Sequence, residues 1–328
     1  MMNESSHNHL VWNKPVTRRG LMQFGLGSLL SLCVSQLIPP AVFAQLAGVT
    51  SNGRVKKQIK GDHDLAAVQG DDPAVITRKA VEAMGGMSRF VKKDAVVVVK
   101  PNMAWDRAPE YAANTNPQVV ATLVQMCYEC GARRVNVFDN PCNSAQRVYE
   151  NTGIMRAAKE KGARVYFMDS WNFLKARFAY DSPMRDWPVF RDAIECDTFI
   201  NVPIVKHHGL TGLTLSMKNL MGVCGGTRGL IHLDIGRKLV DITDFIAPDL
   251  TVVDAFRVLM RHGPSGGSLD DVALKRQVFA ATDPTLADVY ACRIMDVDYN
   301  TIPYIAEAID RGMGAYDLGA ADIVELKA

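Results

Sequence analysis

Apolar and polar positions along this chain recur with two periods, and the switches between them mark out the elements. The run "AVVVVK" at 95–100 leaves no position to face water, which predicts a strand buried on both faces. In "TNPQVVATLVQMCYECG" the spacing turns helical, with apolar residues at 119, 120, 123, 126, 127 and 130. Asn116-Pro117 is a start signal for this helix and Gly131 a stop. "RVNVFD" at 134–139 reads as the next strand, and a strand–helix–strand unit implies parallel pairing through a crossover. The same reasoning predicts strands at 163–169, 197–202, 249–254, 277–282 and 321–326. It predicts helices near 145–161, 212–221, 284–295 and 303–311. The expected fold is α/β, a mostly parallel sheet with helices on both faces, in a single domain over 71–328. The segments 170–190 and 204–250 leave room for a small cap or subdomain.

The first residues follow neither period. Arg18 and Arg19 form a twin-arginine pair, an apolar run extends from Leu21 to Ile38, and small residues follow at Val42 and Ala44. Glycines, serines and the Pro39-Pro40 stop make the run a poor membrane span, so 1–44 reads as a cleavable leader. Such a leader addresses folded cargo for export. The twin-arginine export machinery is therefore an expected partner and the periplasm the expected location. Residues 45–70 read as a polar lead-in, and no later apolar run is long enough to span a membrane.

Charge narrows the function further. Once Lys14, Arg18, Arg19 and Glu4 are set aside, the 37 basic and 35 acidic side chains balance. A balanced chain lacks the dense basic field that nucleic acid requires. Six cysteines follow the leader: Cys127, Cys130, Cys142, Cys196, Cys224 and Cys292. None of their spacings is that of an iron–sulfur cluster, and Cys127-x-x-Cys130 lies late in a helical pattern, where core thiols are expected. The alternative for this pair is a disulfide or a metal, as in a redox accessory protein.

Candidate chemistry collects at strand ends. Lys100 and Asn102 follow the strand at 95–99, Asp139 and Asp169 close two more, and Asn201 and Lys206 stand at or beyond another. Asp254 and Asp283 complete the pattern, although an aspartate before Pro284 also suits a helix N-cap. Ligands of open α/β sheets bind beyond the carboxyl ends of the strands, so these residues converge on one predicted edge. The stretch "IVKHHGLTGLTLSMKNLMGVCGG" belongs there, placing Lys206, His207 and His208 in a strand-to-helix connection, and Lys218 and Asn219 on the helix after it.

Three chemistries fit. Lys206, His208 and Lys218 suit proton transfer. Lys100, Asn102, Asn219 and Arg228, oriented by Asp254 and Asp283, suit a small anionic ligand. His208, His232 and Asp254 would be ligands for a divalent metal, although no H-E-x-x-H spacing is present. The plainer reading is a polar loop beside a buried helix end. "GVCGGTRG" lacks a P-loop ending, no G-x-S-x-G elbow occurs, and Cys224 is a candidate nucleophile. The pattern accommodates an enzyme or a non-catalytic protein that delivers a metal or an anionic cofactor.

The blocks "VVVVKPN", "TNPQVV", "FDNP", "NVPIVKHHGLTGLTLSMKNLMG", "LTVVDAFRVLMRHGP" and "ATDPTLADVYA" together resemble the family named domain of unknown function 362. The resemblance runs from about residue 94 to the C-terminus. It places the family's lysine and histidine on Lys206 and His208, its K-N pair on Lys218 and Asn219, and its later histidine on His232. Its aspartates fall on Asp254, Asp283 and Asp288. Many members carry a ferredoxin-like cysteine cluster, which this sequence lacks. The histidine, glycine and lysine arrangement is also loosely similar to that of nickel-pincer lactate racemases, which implies hydroxy-acid or metal-cofactor chemistry only by analogy.

Overall fold

The computed structural model describes residues 50–179 and 181–328. The leader expected over 1–44 lies outside them. The strands are β1 (Thr50–Ser51), β2 (Leu65–Gln69), β3 (Val96–Pro101), β4 (Arg134–Val137), β5 (Arg164–Val165), β6 (Phe173–Ala176), β7 (Pro188–Phe190), β8 (Thr198–Val202), β9 (Ile204–His208), β10 (Gly212–Thr214), β11 (Leu250–Leu259), β12 (Val272–Ala281) and β13 (Ile323–Lys327). The helices are α1 (Pro73–Ala83), α2 (Pro117–Glu129), α3 (Ala145–Asn151), α4 (Ile154–Glu160), α5 (Arg191–Glu195), α6 (Ser216–Asn219), α7 (Ile235–Ile246), α8 (Pro284–Met295) and α9 (Pro303–Asp310).

One large sheet runs in the order β13-β2-β12-β11-β8-β3-β4-β5, with β9 and β10 attached beside β11. From β11 through β8, β3, β4 and β5 every pairing is parallel. The other side is mixed: β12 runs antiparallel to both β11 and β2, and β13 is parallel to β2. The sheet is thus mostly parallel. β2 comes from the segment read as a polar lead-in. Its Leu65-Ala66-Ala67-Val68 is fully covered because strands flank it and helices pack above and below.

Strict alternation along the strands builds two cores. Val98, Phe199, Val253 and Phe279 face one side, with Leu239, Ile242, Leu286, Tyr290 and Ile305 from α7, α8 and α9. Val97, Val99, Ile200, Val252 and Val278 face the other, with Ile76, Ala80, Val119, Leu123 and Ile154 from α1, α2 and α4. A strand buried on both faces needs an apolar residue at every position, which is why "VVVV" sits at the centre of the sheet. Each such side chain contributes roughly 1.5–3 kcal/mol through its removal from water. The crossover helix α2 begins as the sequence suggests, with Pro117 in its first turn and the Asn116 side chain accepting from the Gln118 N–H at 3.0 Å.

Two local departures from the sequence reading shape the site. After β8 the chain breaks at Pro203 and resumes as β9, and β11 is long enough to pair with both, through Thr251↔Asn201 and then Asp254↔Ile204. Lys206, His207 and His208 therefore lie on a strand, not in a strand-to-helix connection. The helix expected over 212–221 is correspondingly short. Gly212 adopts φ +73° and returns the chain as β10, pairing Gly212↔His208 and Thr214↔Lys206, so only Ser216–Asn219 is α-helical. Left-handed backbone at a hairpin return is cheap for glycine and incompatible with a helix interior. The segment 170–190, where the sequence leaves room for a cap, contributes β6 and β7 to a three-stranded sheet of order β1-β6-β7, pinned to the glycine loop by Gly225 N–H donating to the Pro188 carbonyl at 2.8 Å.

Candidate functional site

The carboxyl ends of β3, β8 and β9 meet at a network of buried polar side chains. Lys100 and Asn201 are register neighbours on β3 and β8. Lys100 Nζ lies 2.8 Å from Asp139 Oδ1 and donates to Asn219 Oδ1 at 3.1 Å and to the Pro101 carbonyl at 2.7 Å. Asn219 Oδ1 also accepts from Asn102 Nδ2 at 3.1 Å, while its own amide donates to Asn201 Oδ1 at 2.9 Å. Asp139 is further held by the Asn140 N–H at 2.9 Å and the Met103 N–H at 2.6 Å. Every charge in this floor has its partner, as a buried ion pair requires if it is not to cost several kcal/mol.

Above the floor opens a cleft of about 620 Å³. Lys206 and His208 enter it from the same face of β9, since alternate residues of a strand point the same way. Lys218 and Asn219 come from α6, and Arg228 and His232 from the turn Arg228–His232. Asp139 is the only acidic residue among the described lining residues, and Lys100 already neutralises it. Lys206 Nζ is held by neutral oxygens, those of Asn102 at 3.2 Å and Pro264 at 3.1 Å and the Ala113 carbonyl. Lys218 Nζ has softer contacts still, Met221 Sδ at 3.5 Å and His232 Nε2 at 3.4 Å.

This environment moves the titrations. Burial, with Lys218 nearby, pushes the Lys206 ammonium down to about 7. Burial also lowers Lys218 to about 8, with Arg228 adding to the shift and Cys142 opposing it. His208 falls to about 3, again through burial first and then the surrounding cations, and His232 is lowered for the same reasons. Both imidazoles are therefore neutral near pH 7, and their neighbours define the tautomers. His208 Nδ1 accepts from the Leu210 N–H at 3.2 Å, leaving its proton on Nε2. His232 Nδ1 is 3.2 Å from the Gly229 carbonyl, which can only accept, so Nε2 is the lone pair facing Lys218.

Two buried features hold this geometry. Asp288 on α8 accepts from the Ser216 and Met217 N–H groups at 2.7 and 3.1 Å, anchoring the start of α6 and so aiming Lys218 and Asn219. Gly222 is the second: a Cβ there would stand 1.8 Å from Asp139 Oδ1 and 2.6 Å from Lys100 Nζ. One lining residue carries a buried hydroxyl without a partner. Thr214 Oγ1 is buried and makes no hydrogen bond.

Of the residues singled out from sequence, the cleft gathers Lys206, His208, Lys218, Asn102, Asn219, Arg228 and His232, with Lys100 beneath it. Asp254 and Asp283 lie outside. Asp254 is buried, with its oxygens accepting from the Asn116 and Phe256 N–H groups at 2.8 and 3.0 Å. Asp283 caps α8 through the Thr285 N–H at 2.8 Å and also holds the Ala315 N–H at 2.6 Å. His208 and His232 stack with ring centroids 5.8 Å apart, but Asp254 does not join them. Among the described residues no group of three or more His, Cys, Asp or Glu is placed to hold a metal ion. Cys224 is fully buried with its thiol pushed up to about 12, which leaves it inert, and Cys142 is the cysteine at the cleft. Trp105, Leu210, Thr214 and Cys142 are lining residues that sequence reasoning did not assign to the site. The pairing of β10 with β9 brings Thr214 beside Lys206, a register that "LTGLT" announces only through its glycine.

The cysteines are all free thiols among the described residues. Nor is any described helix long and apolar enough to cross a membrane. A thylakoid-associated protein of Synechocystis sp. is 30% identical over 239 residues, which cover 70% of this chain and 72% of that protein. Two solved structures are more distantly similar. The lactate racemase apoprotein from Thermoanaerobacterium thermosaccharolyticum matches at TM-score 0.42 and 13% identity, over 76% of this chain and 59% of that one. A Thermotoga maritima protein matches at TM-score 0.37 and 14% identity, over 70% of this chain and 60% of that one. This chain therefore spans less than two thirds of either structure. The model of a domain of unknown function (DUF362) matches residues 97–293, more than half of the chain, and the protein belongs to that family.

Proposed function

We propose that the cleft binds a small anionic molecule and exchanges a proton with it, as an enzyme of an exported compartment. One observation carries this reading. Lys218, Lys206 and Arg228 face a cavity whose single carboxylate, Asp139, is already spent on Lys100. The excess positive charge calls for an anion from outside the chain, because desolvated ammonium groups are costly without one. His208 presents Nε2–H as a neutral donor.

The proton-transfer half of the proposal rests on Lys218 and His232. An amine lowered to about 8 is present in both protonation states near neutrality, which is the condition for taking and returning a proton. In this scheme the Lys218 ammonium, held by the His232 Nε2 lone pair, receives the anion and gives it a proton, and the amine so formed takes a proton back from the ligand. The exported location is supported by the Arg18-Arg19 leader and by the thylakoid association named for the Synechocystis relative. The test is proton exchange itself. A panel of 2-hydroxy and 2-oxo carboxylates is incubated with the protein in D2O and followed by NMR. Deuterium incorporation by wild type but not by K218M supports the enzyme. Tight binding with no exchange across the panel would reduce the function to anion binding.

A further inference from the structure

The cleft is larger and more apolar than its lysines require. Sites of about 300–1,000 Å³ hold drug-sized molecules, and about 620 Å³ lies well inside that range, so a two- or three-carbon acid would leave most of it to water. Beside the polar groups, Trp105, Met221, Leu210, Ala104 and Pro264 supply apolar lining. Trp105 is held rigidly, its backbone N–H and carbonyl both bonded to the Asn114 side chain at 2.9 Å. Leu210, a lining residue, is 78% exposed, and Leu230 and Leu233, near His232 in sequence, are 49% and 65% exposed.

We propose that the ligand is an amphipathic anion, with a carboxylate or phosphate head at Lys218 and Arg228 and an alkyl or aryl body against Trp105, Met221 and Leu210. A longer body reaches Leu230 and Leu233. This inference rests on the anion-binding reading above and adds the chemical class of what is bound. The charged head accounts for the lysines, and the body accounts for a volume and a rim that a hydrophilic acid would leave unused.

Calorimetric titration with acetate, butanoate, hexanoate and octanoate separates the two readings. It is run at about pH 6.5, where a carboxylate is ionised and both lysines are largely protonated. Each buried methylene is worth about 0.8 kcal/mol, so affinity should climb by up to about fourfold per carbon. Octanoate should also shift tryptophan emission, and the shift should be lost in W105F. The L230S/L233S double variant changes only surface residues and should weaken octanoate more than acetate. Equal affinity along the series would overturn the amphipathic ligand while leaving anion binding intact. No binding by any member, or octanoate binding undiminished in K218M, would overturn the anion reading itself. Attachment to phosphatidylcholine vesicles that needs Leu230 and Leu233, alongside a flat series, would reassign the leucines to a membrane contact and defeat the proposal.

Discussion

Lys100 and Lys218 belong to the same site and live in opposite circumstances. Lys100 is completely buried, and its ammonium is matched to Asp139, Asn219 and a backbone carbonyl. Lys218 is almost as buried, yet it touches only a thioether and an imidazole. Burial lowers the pKa of both, and for Lys100 the Asp139 carboxylate works against that shift. The first ammonium is matched by a carboxylate of the chain, and the second is not. Proximity to a cleft therefore does not distinguish a functional lysine. The inventory of its partners does.

The comparison breaks most visibly under substitution. K100M would strand the Asp139 carboxylate in the interior and should destabilise the protein by about 3–5 kcal/mol in urea unfolding, as for any half-removed buried pair. K218M removes a cation that has no carboxylate to strand, and its unfolding should stay within about 1 kcal/mol of wild type. Equal losses in the two variants would erase the distinction. G222A sharpens it from the other side, because the added methyl meets Asp139 and Lys100 directly. Forcing that pair apart should cost about 1–3 kcal/mol, read in the same assay. A modest effect is expected at Asp283. D283A loses an N-cap and the bond from the Ala315 N–H, so it should cost at least about 1 kcal/mol, and it should leave anion affinity unaltered because the residue does not line the cleft.

Much of this was legible in the sequence, for identifiable reasons. The central strand, the helix at Pro117–Glu129 and the helix at Pro284–Met295 follow from burial period and cap chemistry, which are local. The convergence of Lys100, Asn102, Asn201, Lys206 and Asn219 follows from the rule that parallel strands deliver their ends to one edge. What stayed hidden depends on partners far along the chain. Asp139 reads as one more strand-end aspartate until Lys100 is seen against it. Asp254 carries the same sequence signal, but it is consumed by the N–H groups of residues 116 and 256. The strand at β9 was concealed by its histidines and the glycine after them, although the spacing of Lys206 and His208 already set them on one face of an extended segment. The lead-in looked structureless because five residues of apolar strand are too few to declare a period.

The central claim is that Lys218, as an ammonium free of any carboxylate, receives an anion. Carboxylate affinity of wild type and K218M, measured by calorimetry across pH, tests it most directly. A lysine lowered to about 8 is charged below that pH and neutral above it, and Lys206 loses its charge at about 7, whereas His208 stays neutral throughout. A carboxylate probe is itself fully ionised above about pH 6, so any change belongs to the protein. The account predicts affinity that falls as pH rises through 7–8 in wild type. In K218M it should already be about tenfold to a hundredfold weaker at low pH, the loss of a charged hydrogen bond. Affinity in K218M equal to that of wild type, or a profile flat across this range, would contradict it.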